Sequence, residues 1–432
     1  MDTPLSDPLP GVQPPLRTST PSAPAKLESS TLSDGVKIAS IATPSPSSTI
    51  ALVLAGGSSL ETSATAGASK VIEALAFKAT KDRTTFRLTR ELEKIGATAY
   101  AKAGRDSIIF AIDTLKTHTP EATEILLDSV LNAKLLYHEF RDNAEIAHEV
   151  IAKALACPAT MLEEVVHRVA FDGPLGQPLV VDPKGVSHET LRGYYASLLK
   201  PSSMLMAGIG ADHAELKEIA GPLFGSSHLS GPASAAAASK YVGGSANVIA
   251  DTSLTHVALA FETKGGLSDP KASALAAITK ALLDEARGSI PYSVQTSAFK
   301  AFAHLYKDTG LVGVAASSAP AQSSQLVDSV YKKIAAVVSG VTEAQLKVAK
   351  HVALGAYKSS LGSSASSLPL IVSKLLASGK YDAAEFAASV DSVTAAQLGV
   401  YVKDLTKSAP TLVTYGSLAS LPRYDSLAKR LA

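Results

Sequence analysis

Histidine is the side chain best suited to hold a metal ion or to move a proton near neutral pH, and the chain has ten of them. His138 and His148 lie ten residues apart in helical sequence, which places them about 80° apart around a helix and nearly three turns apart along it. They are too far apart to share a metal ion, so they predict a solvated helix face. The motif His-Glu-x-x-His, which puts two metal-binding histidines on one helix face, does not occur.

Patterns for nucleophiles and phosphate binding are also missing. Serine is abundant, but the sequence has no Gly-x-Ser-x-Gly turn followed by a suitable Asp and His. The single cysteine, Cys157, excludes an internal disulfide and a Cys-rich zinc or iron–sulfur site, and its position before Pro158 predicts a buried side chain closing a helix. Glycine pairs lack the spacing of a phosphate loop or a dinucleotide fingerprint and predict turns; they stand at 56–57, 243–244 and 265–266.

Composition narrows the class of protein. The 432 residues include 40 Lys and Arg against 39 Asp and Glu, a formal charge of +1, and they lack the basic excess with which nucleic-acid-binding proteins neutralise phosphates. Apolar residues make up 46% and charged residues 18%, which predicts a surface partly covered by other subunits. No apolar run approaches the roughly 20 residues that span a bilayer. At about 100–200 residues per domain, the length predicts two to four domains.

The chain repeats itself with an offset of about 200 residues, the signature of a duplicated unit. Matching residues keep their order along the chain, at 51–52 and 258–259, 74–75 and 281–282, 128–130 and 328–330, and 194 and 401. A Gly-, Ser- and Ala-rich stretch between the copies predicts a flexible linker, and a Pro- and Ser-rich start predicts a disordered or extended tail. The predicted organisation is a tail at 1–30, a first half at 31–220, a linker at 221–246 and a second half at 247–432.

Hydrophobic periodicity predicts strands followed by a run of helices in each half. In the first half we expect strands at 36–42 and 50–55, a helix near 63–77, a helix stopping at Gly96, a strand pair at 97–102 and 107–112, and helices from 120 to 171. One of these helices carries its apolar spacing at Ile146, Val150, Ile151 and Leu155. The mixed charges of residues 78–94 predict an exposed face, with a subunit contact as the alternative. The expected fold is α+β, with two homologous half-domains, each a mostly antiparallel sheet covered by helices.

The stretch Lys70–Thr80 (KVIEALAFKAT) resembles the zinc helix of pitrilysin-type metallopeptidases, in which His-x-x-Glu-His precedes a Phe-Lys-containing run. The match rests on residues 76–78 and Thr80, and on a preceding hairpin of the family type formed by 32–38 and 50–57. It extends over nearly all of residues 31–425, including the duplication. The family includes the subunits of the mitochondrial processing peptidase and the two core proteins of ubiquinol–cytochrome c reductase (respiratory complex III).

In active members of this family, the two histidines and a distal glutamate bind zinc, and the intervening glutamate activates the metal-bound water. The resemblance places Lys70 and Ala74 at the histidine positions, Glu73 at the base position and Glu149 at the distal carboxylate. An ammonium has no lone pair for a metal and a methyl has no donor atom, so these positions are vestigial. The equivalent stretch of the second half, 278–284, has no histidine. The resemblance therefore implies no metal, no cofactor and no catalytic residue in this chain.

Two kinds of inactive subunit remain, beside an enzyme whose site these motifs do not reveal. The first is a structural subunit like core protein 2 of complex III, and the alternative is the substrate-recognising alpha subunit of the processing peptidase. The alpha type carries a long glycine-rich loop, whereas the corresponding stretch here, 283–293, has one glycine, which favours the core type. That type implies a homologous core protein 1 and other complex III subunits as partners in a dimeric complex. It also implies a peripheral position on the matrix side of the mitochondrial inner membrane.

Overall fold

The two halves of the chain are built from the same kinds of elements in a computed structural model, which describes residues 27–226, 231, 237–285, 296–417 and 424. The strands of the first half are β1 (Leu27–Thr31), β2 (Lys37–Ile41), β3 (Ser47–Ala55), β4 (Thr98–Ala103), β5 (Ser107–Leu115), β6 (Phe171–Asp172) and β7 (Met204–Ile209). Its helices are α1 (Ala68–Ala74), α2 (Thr85–Lys94), α3 (Thr119–Leu131), α4 (Tyr137–Leu155), α5 (Pro158–Ala170), α6 (His188–Leu198) and α7 (His213–Ser226).

The second half follows the same plan, with five helices between its last hairpin and the strand that returns to the sheet, where the first half has four. Its strands are β8 (Lys240–Tyr241), β9 (Gly244–Ile249), β10 (Thr255–Lys264), β11 (Thr296–Leu305), β12 (Thr309–Ser318) and β13 (Thr411–Gly416). Its helices are α8 (Pro270–Glu285), α9 (Ser323–Ser339), α10 (Glu343–Ser360), α11 (Ser364–Ser378), α12 (Ala383–Ser392) and α13 (Ala395–Lys407). None of the helices in the described part of the chain combines the length and apolarity needed to cross a membrane.

The main sheets of the two halves have the same strand order. The first runs β1-β2-β7-β3-β5-β4, and the second, read from its other edge, runs β9-β13-β10-β12-β11. Once β1 is set aside, each strand of one sheet has a counterpart in the other. Both sheets contain a single parallel pair, β2 with β7 and β9 with β13, and their other pairs are antiparallel. The predicted α+β fold of two half-domains, each a mostly antiparallel sheet covered by helices, is confirmed.

The predicted hairpin of residues 32–38 and 50–57 is wrong as a pairing, although both of its strands are present. Strand β7 lies between β2 and β3, parallel to the first and antiparallel to the second. All residues of β7 are buried. A strand this apolar is most stable at the centre of a sheet, where both of its faces are covered. A strand from the end of the first half therefore separates two strands that are close in sequence.

Local signals set several helix bounds. The helix expected near 63–77 is shorter, because turns occupy the residues before α1 and the chain enters it through Gly67, whose positive φ of 87° favours glycine. Helix α2 begins after Thr84, whose hydroxyl accepts the N–H of Arg87, and it ends before Gly96 as predicted. The strand pair β4–β5 and the helices α3, α4 and α5 agree with the pattern at 97–171.

Some side chains lie where the sequence pattern did not place them. Cys157 is exposed at the residue before α5, so the expectation of a buried thiol is wrong. On α4, Ile151 is buried, but Ile146 and Val150 are 56% and 59% exposed. The core therefore covers only part of the apolar face that the sequence predicts for α4. The backbone of a helix fixes which residues share a face, but only its neighbours decide how much of that face is buried.

The predicted tail and linker contain regular structure. Strand β1 pairs with β2, so residues 27–30 are part of the first sheet, and residues 1–26 lie outside the described residues. Helix α7 includes the first residues of the predicted linker, and β8 and the start of β9 lie near its end. Residues 227–230 and 232–236 lie outside the described residues.

Each half contributes one helix to the sheet of the other. Helix α5, from the first half, packs against the second sheet, and its Leu162, Val166 and Ala170 share one buried cluster with residues 258, 260 and 413. Helix α11, from the second half, covers the first sheet on the face opposite its own helices, with Ile371 and Leu375 in that cluster. The short pair β6–β8 adds backbone hydrogen bonds between residues 171–172 and 240–241. The halves are therefore interlocked by two reciprocal helix contacts.

Candidate functional site

Helix α1 carries the motif positions and is held at its start by a buried carboxylate. Glu61 accepts hydrogen bonds from the backbone N–H groups of Gly67 and Ser69, both at 2.7 Å. An acid in this place satisfies N–H groups that have no partner within the helix. Burial raises the pKa of Glu61, and its hydrogen bonds to Ser69 and Gly67 oppose that rise. Tyr194 of α6 holds the same region, because its hydroxyl donates to the carbonyl of Gly57 at 2.8 Å.

Lys70 and Glu73 form an ion pair on α1. The Lys70 ammonium lies 2.8 Å from Oε2 of Glu73, and both side chains are partly exposed. The same carboxylate oxygen accepts the backbone N–H of Ala103 at 2.9 Å. Ala103 is the last residue of β4, the edge strand of the first sheet. Glu73 is thus engaged by an ammonium and by a strand amide, and it joins α1 to that edge.

The donors at the motif positions do not fit a zinc ion. Ala74 follows Glu73 on α1 and ends in a methyl group, and the Lys70 ammonium would repel a cation. Glu149 lies exposed on α4, with no hydrogen-bonding partner for its carboxylate among the described residues. A catalytic zinc needs three protein ligands, typically including imidazole, and this set offers carboxylates alone. The structure brings α1 and α4 into contact, yet it assembles no ligand set between them from the described residues.

The two histidines of α4 differ in their surroundings. His138 is exposed, in agreement with a solvated face, whereas His148 is partly buried and its Nδ1 lies 2.9 Å from a carboxylate oxygen of Asp182.

The charged segment 78–94 is less exposed than expected at Arg83, whose guanidinium contacts three carboxylates at 2.7–2.8 Å: those of Glu91, Glu124 and Asp128. These hydrogen bonds raise the pKa of Arg83 and join α2 to α3.

The second half has a carboxylate that plays a similar part to Glu73. Asp284, near the end of α8, accepts the backbone N–H of Ala301 at 2.7 Å. Ala301 lies on β11, the edge strand of the second sheet and the counterpart of β4. Sequence reasoning missed both edge contacts, because a carboxylate in a helix gives no local sign of which strand amide it will meet. The predicted vestigial site and its second-half counterpart thus share a contact between a helix carboxylate and an edge strand.

Comparison with known proteins agrees with this architecture. A family model described as insulinase, peptidase family M16, matches residues 37–183. A second model, described as the peptidase M16 inactive domain, matches residues 185–352. The two matches follow one another along the chain, as the repeated fold would lead one to expect.

Whole-chain relatives are mitochondrial proteins by name. The mitochondrial-processing peptidase subunit alpha of Solanum tuberosum is 33% identical over 454 residues, which cover 99% of this chain and 89% of the relative. The probable subunit alpha-1 of Arabidopsis thaliana is 30% identical with the same coverage. Cytochrome b-c1 complex subunit 2 of Rattus norvegicus is 27% identical over 448 residues, 96% of each chain. The chain therefore belongs to peptidase family M16, among relatives that include processing-peptidase alpha subunits and the b-c1 complex subunit 2.

Proposed function

We propose that this chain is a non-catalytic subunit of a heteromeric mitochondrial assembly of M16 proteins. The observation that carries the proposal is the ion pair between Lys70 and Glu73 at 2.8 Å. The carboxylate that would activate water in an active relative is neutralised by an ammonium, and the position of the second metal ligand holds the methyl of Ala74. Without a metal to lower the pKa of water, Glu73 has no acidic water to deprotonate. The chain then acts through the surfaces that it presents, with no cofactor of its own.

Within that class, we propose the alpha type of processing-peptidase subunit as the first candidate. The relatives named for this subunit reach 33% and 30% identity over 99% of the chain. The subunit named for the b-c1 complex reaches 27%. This ranking favours the alpha type, the alternative prediction from sequence, over the core type, which was the main prediction. In this role the chain recognises presequences for a catalytic partner that keeps an intact zinc motif.

A structural subunit of the b-c1 complex is the second candidate. It is favoured by the single glycine of residues 283–293, where the alpha type is expected to carry a glycine-rich loop. Residues 286–295 lie outside the described residues, so this argument rests on sequence. The sparse charge of the chain also suits a subunit with much of its surface covered. In this role the partners are a homologous core protein 1 and other complex III subunits, on the matrix side of the inner membrane.

Reconstitution tests the non-catalytic assignment. The full chain is assayed for bound zinc and for cleavage of a presequence peptide, first alone and then with a beta-type partner that has an intact His-x-x-Glu-His motif. We expect substoichiometric zinc and no cleavage by the chain alone. Cleavage that appears only with the partner supports the alpha type, and a partner carrying a mutated motif is the control. Cleavage by the chain alone would overturn the proposal.

Copurification separates the two candidates. The tagged chain is extracted from mitochondria in mild detergent and resolved on native gels, and its partners are identified by mass spectrometry. Migration with a haem-containing complex supports the b-c1 subunit, and migration with a zinc-binding M16 partner free of haem supports the alpha type. A chain that travels with neither kind of partner contradicts both.

A further inference from the structure

A buried group of polar side chains connects the two halves where α5 meets the second sheet. Helix α5 belongs to the first half in sequence but packs on strands of the second half. Its apolar residues explain why it sits there, yet His167 and Glu164 on the same helix are also buried. Buried polar groups are costly unless each has a partner, so their partners show what this contact requires.

The hydrogen bonds of His167 fix its tautomer. Its Nδ1 lies 2.7 Å from the backbone carbonyl oxygen of Glu163, which can only accept, so Nδ1 carries the hydrogen. In the neutral ring Nε2 is then the acceptor, and the hydroxyl of Tyr306, at 2.7 Å, donates to it. Tyr306 follows the end of β11, the edge strand of the second sheet. One oriented hydrogen bond therefore runs from the second half to α5.

A buried ion pair ties the same helix to the first sheet. Nη2 of Arg105 lies 2.9 Å from Oε1 of Glu164, and the two side chains are only 5% and 9% exposed. Arg105 stands in the turn between β4 and β5. The other oxygen of Glu164 accepts the backbone N–H of Leu179 at 2.8 Å, and Arg105 also donates to the carbonyl of Gln177. Both charged groups are thus hydrogen-bonded on more than one side, as a buried pair needs to be.

We propose that Arg105, Glu164, His167 and Tyr306 form an inter-half latch that fixes the relative orientation of the two halves. Directional hydrogen bonds specify one arrangement, whereas an apolar contact of the same area tolerates sliding. In the reciprocal contact of α11 with the first sheet, Ile371 and Leu375 belong to an apolar cluster, and α11 also buries Ser367 and Lys374. With the latch broken, the halves stay in contact through their apolar surfaces and the short β6–β8 pair, but the sheets sample more than one relative orientation. This inference does not depend on the proposed function.

The distance between the halves tests the latch. Spin labels are placed at Lys184→Cys in the first half and Lys407→Cys in the second, both exposed positions, in a Cys157→Ser background that removes the only native cysteine. Electron–electron double resonance then gives the distance distribution. We expect one narrow distribution without further change, and a broadened or two-component distribution for Tyr306→Phe, which removes the hydroxyl and keeps the ring.

Tyr401→Phe is the matched control. Tyr401 also loses a buried hydroxyl hydrogen bond, to Thr263 at 2.6 Å, but both residues belong to the second half. We expect this variant to keep the narrow distribution. Broadening by both Tyr→Phe variants would overturn the latch, because the effect would then follow from a general loss of stability.

The double variant His167→Leu with Tyr306→Phe separates orientation from stability. Replacing both partners by apolar groups leaves no unpaired polar atom, so we expect its unfolding midpoint to lie above that of Tyr306→Phe alone. The latch requires that its distance distribution stays broad despite the recovered stability. A narrow distribution in both the single and the double variant contradicts the proposal and leaves the hydrogen bond a purely local role.

Discussion

The two reciprocal helix contacts differ in chemistry although they join sheets of the same strand order. Helix α11 meets the first sheet through an apolar cluster, and it also buries Ser367 and Lys374. Helix α5 meets the second sheet through apolar side chains and also through the buried residues Glu164 and His167. The duplicated topology therefore accommodates either kind of contact. Apolar burial supplies most of the stability of both helix contacts, and the polar groups of α5 also specify how that helix is oriented on the sheet.

At the edge strands, by contrast, the two halves make the same kind of contact, between a helix carboxylate and a strand N–H. Glu73 accepts the N–H of Ala103 on β4, and Asp284 accepts the N–H of Ala301 on β11. The equivalent stretch of the second half, 278–284, has no histidine, so a contact of this kind does not require a metal site. A structural task of this kind explains how Glu73 remains useful in a chain whose ligand positions cannot hold zinc.

The largest expected effect comes from breaking the polar helix contact. Glu164→Ala leaves the buried Arg105 guanidinium without its counter-charge, and such a loss costs about 3–5 kcal/mol of unfolding free energy. Ile371→Ala in the apolar counterpart leaves a cavity and costs about 2–5 kcal/mol. Urea denaturation of both variants measures the two losses. A loss below about 1 kcal/mol for Glu164→Ala, the scale of an exposed ion pair, would contradict the buried role of this pair.

Paired variants test the shared edge contact. Glu73→Ala and Asp284→Ala each leave a strand N–H without its acceptor, and we expect each to cost about 1–3 kcal/mol. Glu73→Gln and Asp284→Asn keep an acceptor oxygen and serve as controls that lose less than the alanine variants. Thermal and chemical unfolding measure the losses, and hydrogen exchange at Ala103 and Ala301 reports the amides directly. Equal losses for alanine and amide variants would show that the contact depends on charge rather than on the hydrogen bond.

His167 gives the α5 contact a pH dependence in the acidic range. Burial and the Arg105 charge lower the pKa of His167 from 6.5 to about 3, so the unfolded chain binds a proton that the folded chain excludes. Its contribution is complete above pH 6.5, and stability falls below that by about 1.4 kcal/mol per pH unit until the pKa near 3 is reached. His167→Gln does not titrate, and we expect a shallower decline between pH 6.5 and 4.

Other groups near His167 also titrate in this range. The quantity to measure is therefore the difference in unfolding free energy between wild type and His167→Gln at each pH. Asp106 acts with the opposite sign, because desolvation raises its pKa from 3.8 to about 6 and folded protein gains stability from its protonation as pH falls through that range. Wild type and His167→Gln share Asp106, so their difference removes its contribution. Parallel stability curves would contradict a buried neutral His167. The titratable and charged groups around this ring and its partner Tyr306 include Arg105, Asp106, Glu163, Glu164 and His304.

The smallest expected effect concerns the ion pair at the motif. Lys70→Met removes the ammonium beside Glu73, and because both side chains are partly exposed we expect a loss of about 0–1 kcal/mol. Hydrogen exchange at Ala103 should stay slow, since the carboxylate still accepts that N–H. Urea unfolding at low and high salt measures the effect. A loss that exceeds that of Glu73→Ala would show that the ammonium, rather than the strand amide, is the partner that matters.

Much of the fold can be predicted from local sequence pattern, and the predictions that are wrong share one cause. The continuous apolar runs of β3 and β5 match strands that are buried on both faces, the helical spacing around Leu88 and Leu92 matches the buried face of α2, and these elements are confirmed. The order of strands was missed at β7, because a strand's neighbours depend on contacts with residues far away in sequence. Cys157 was misplaced for the same reason, since its exposure depends on the packing of the helices on either side of it.

The sequence by itself determined the duplication and the identity of the atoms at the motif positions. The donor capacity of an ammonium or a methyl is covalent and does not change with folding, so neither Lys70 nor Ala74 can ligate a zinc ion wherever the chain places it. Only the tertiary structure decided what Glu73 and His167 contact, which helix covers which sheet, and how the two halves are joined. Those properties depend on contacts between residues that are far apart in sequence, and local sequence pattern does not predict such contacts.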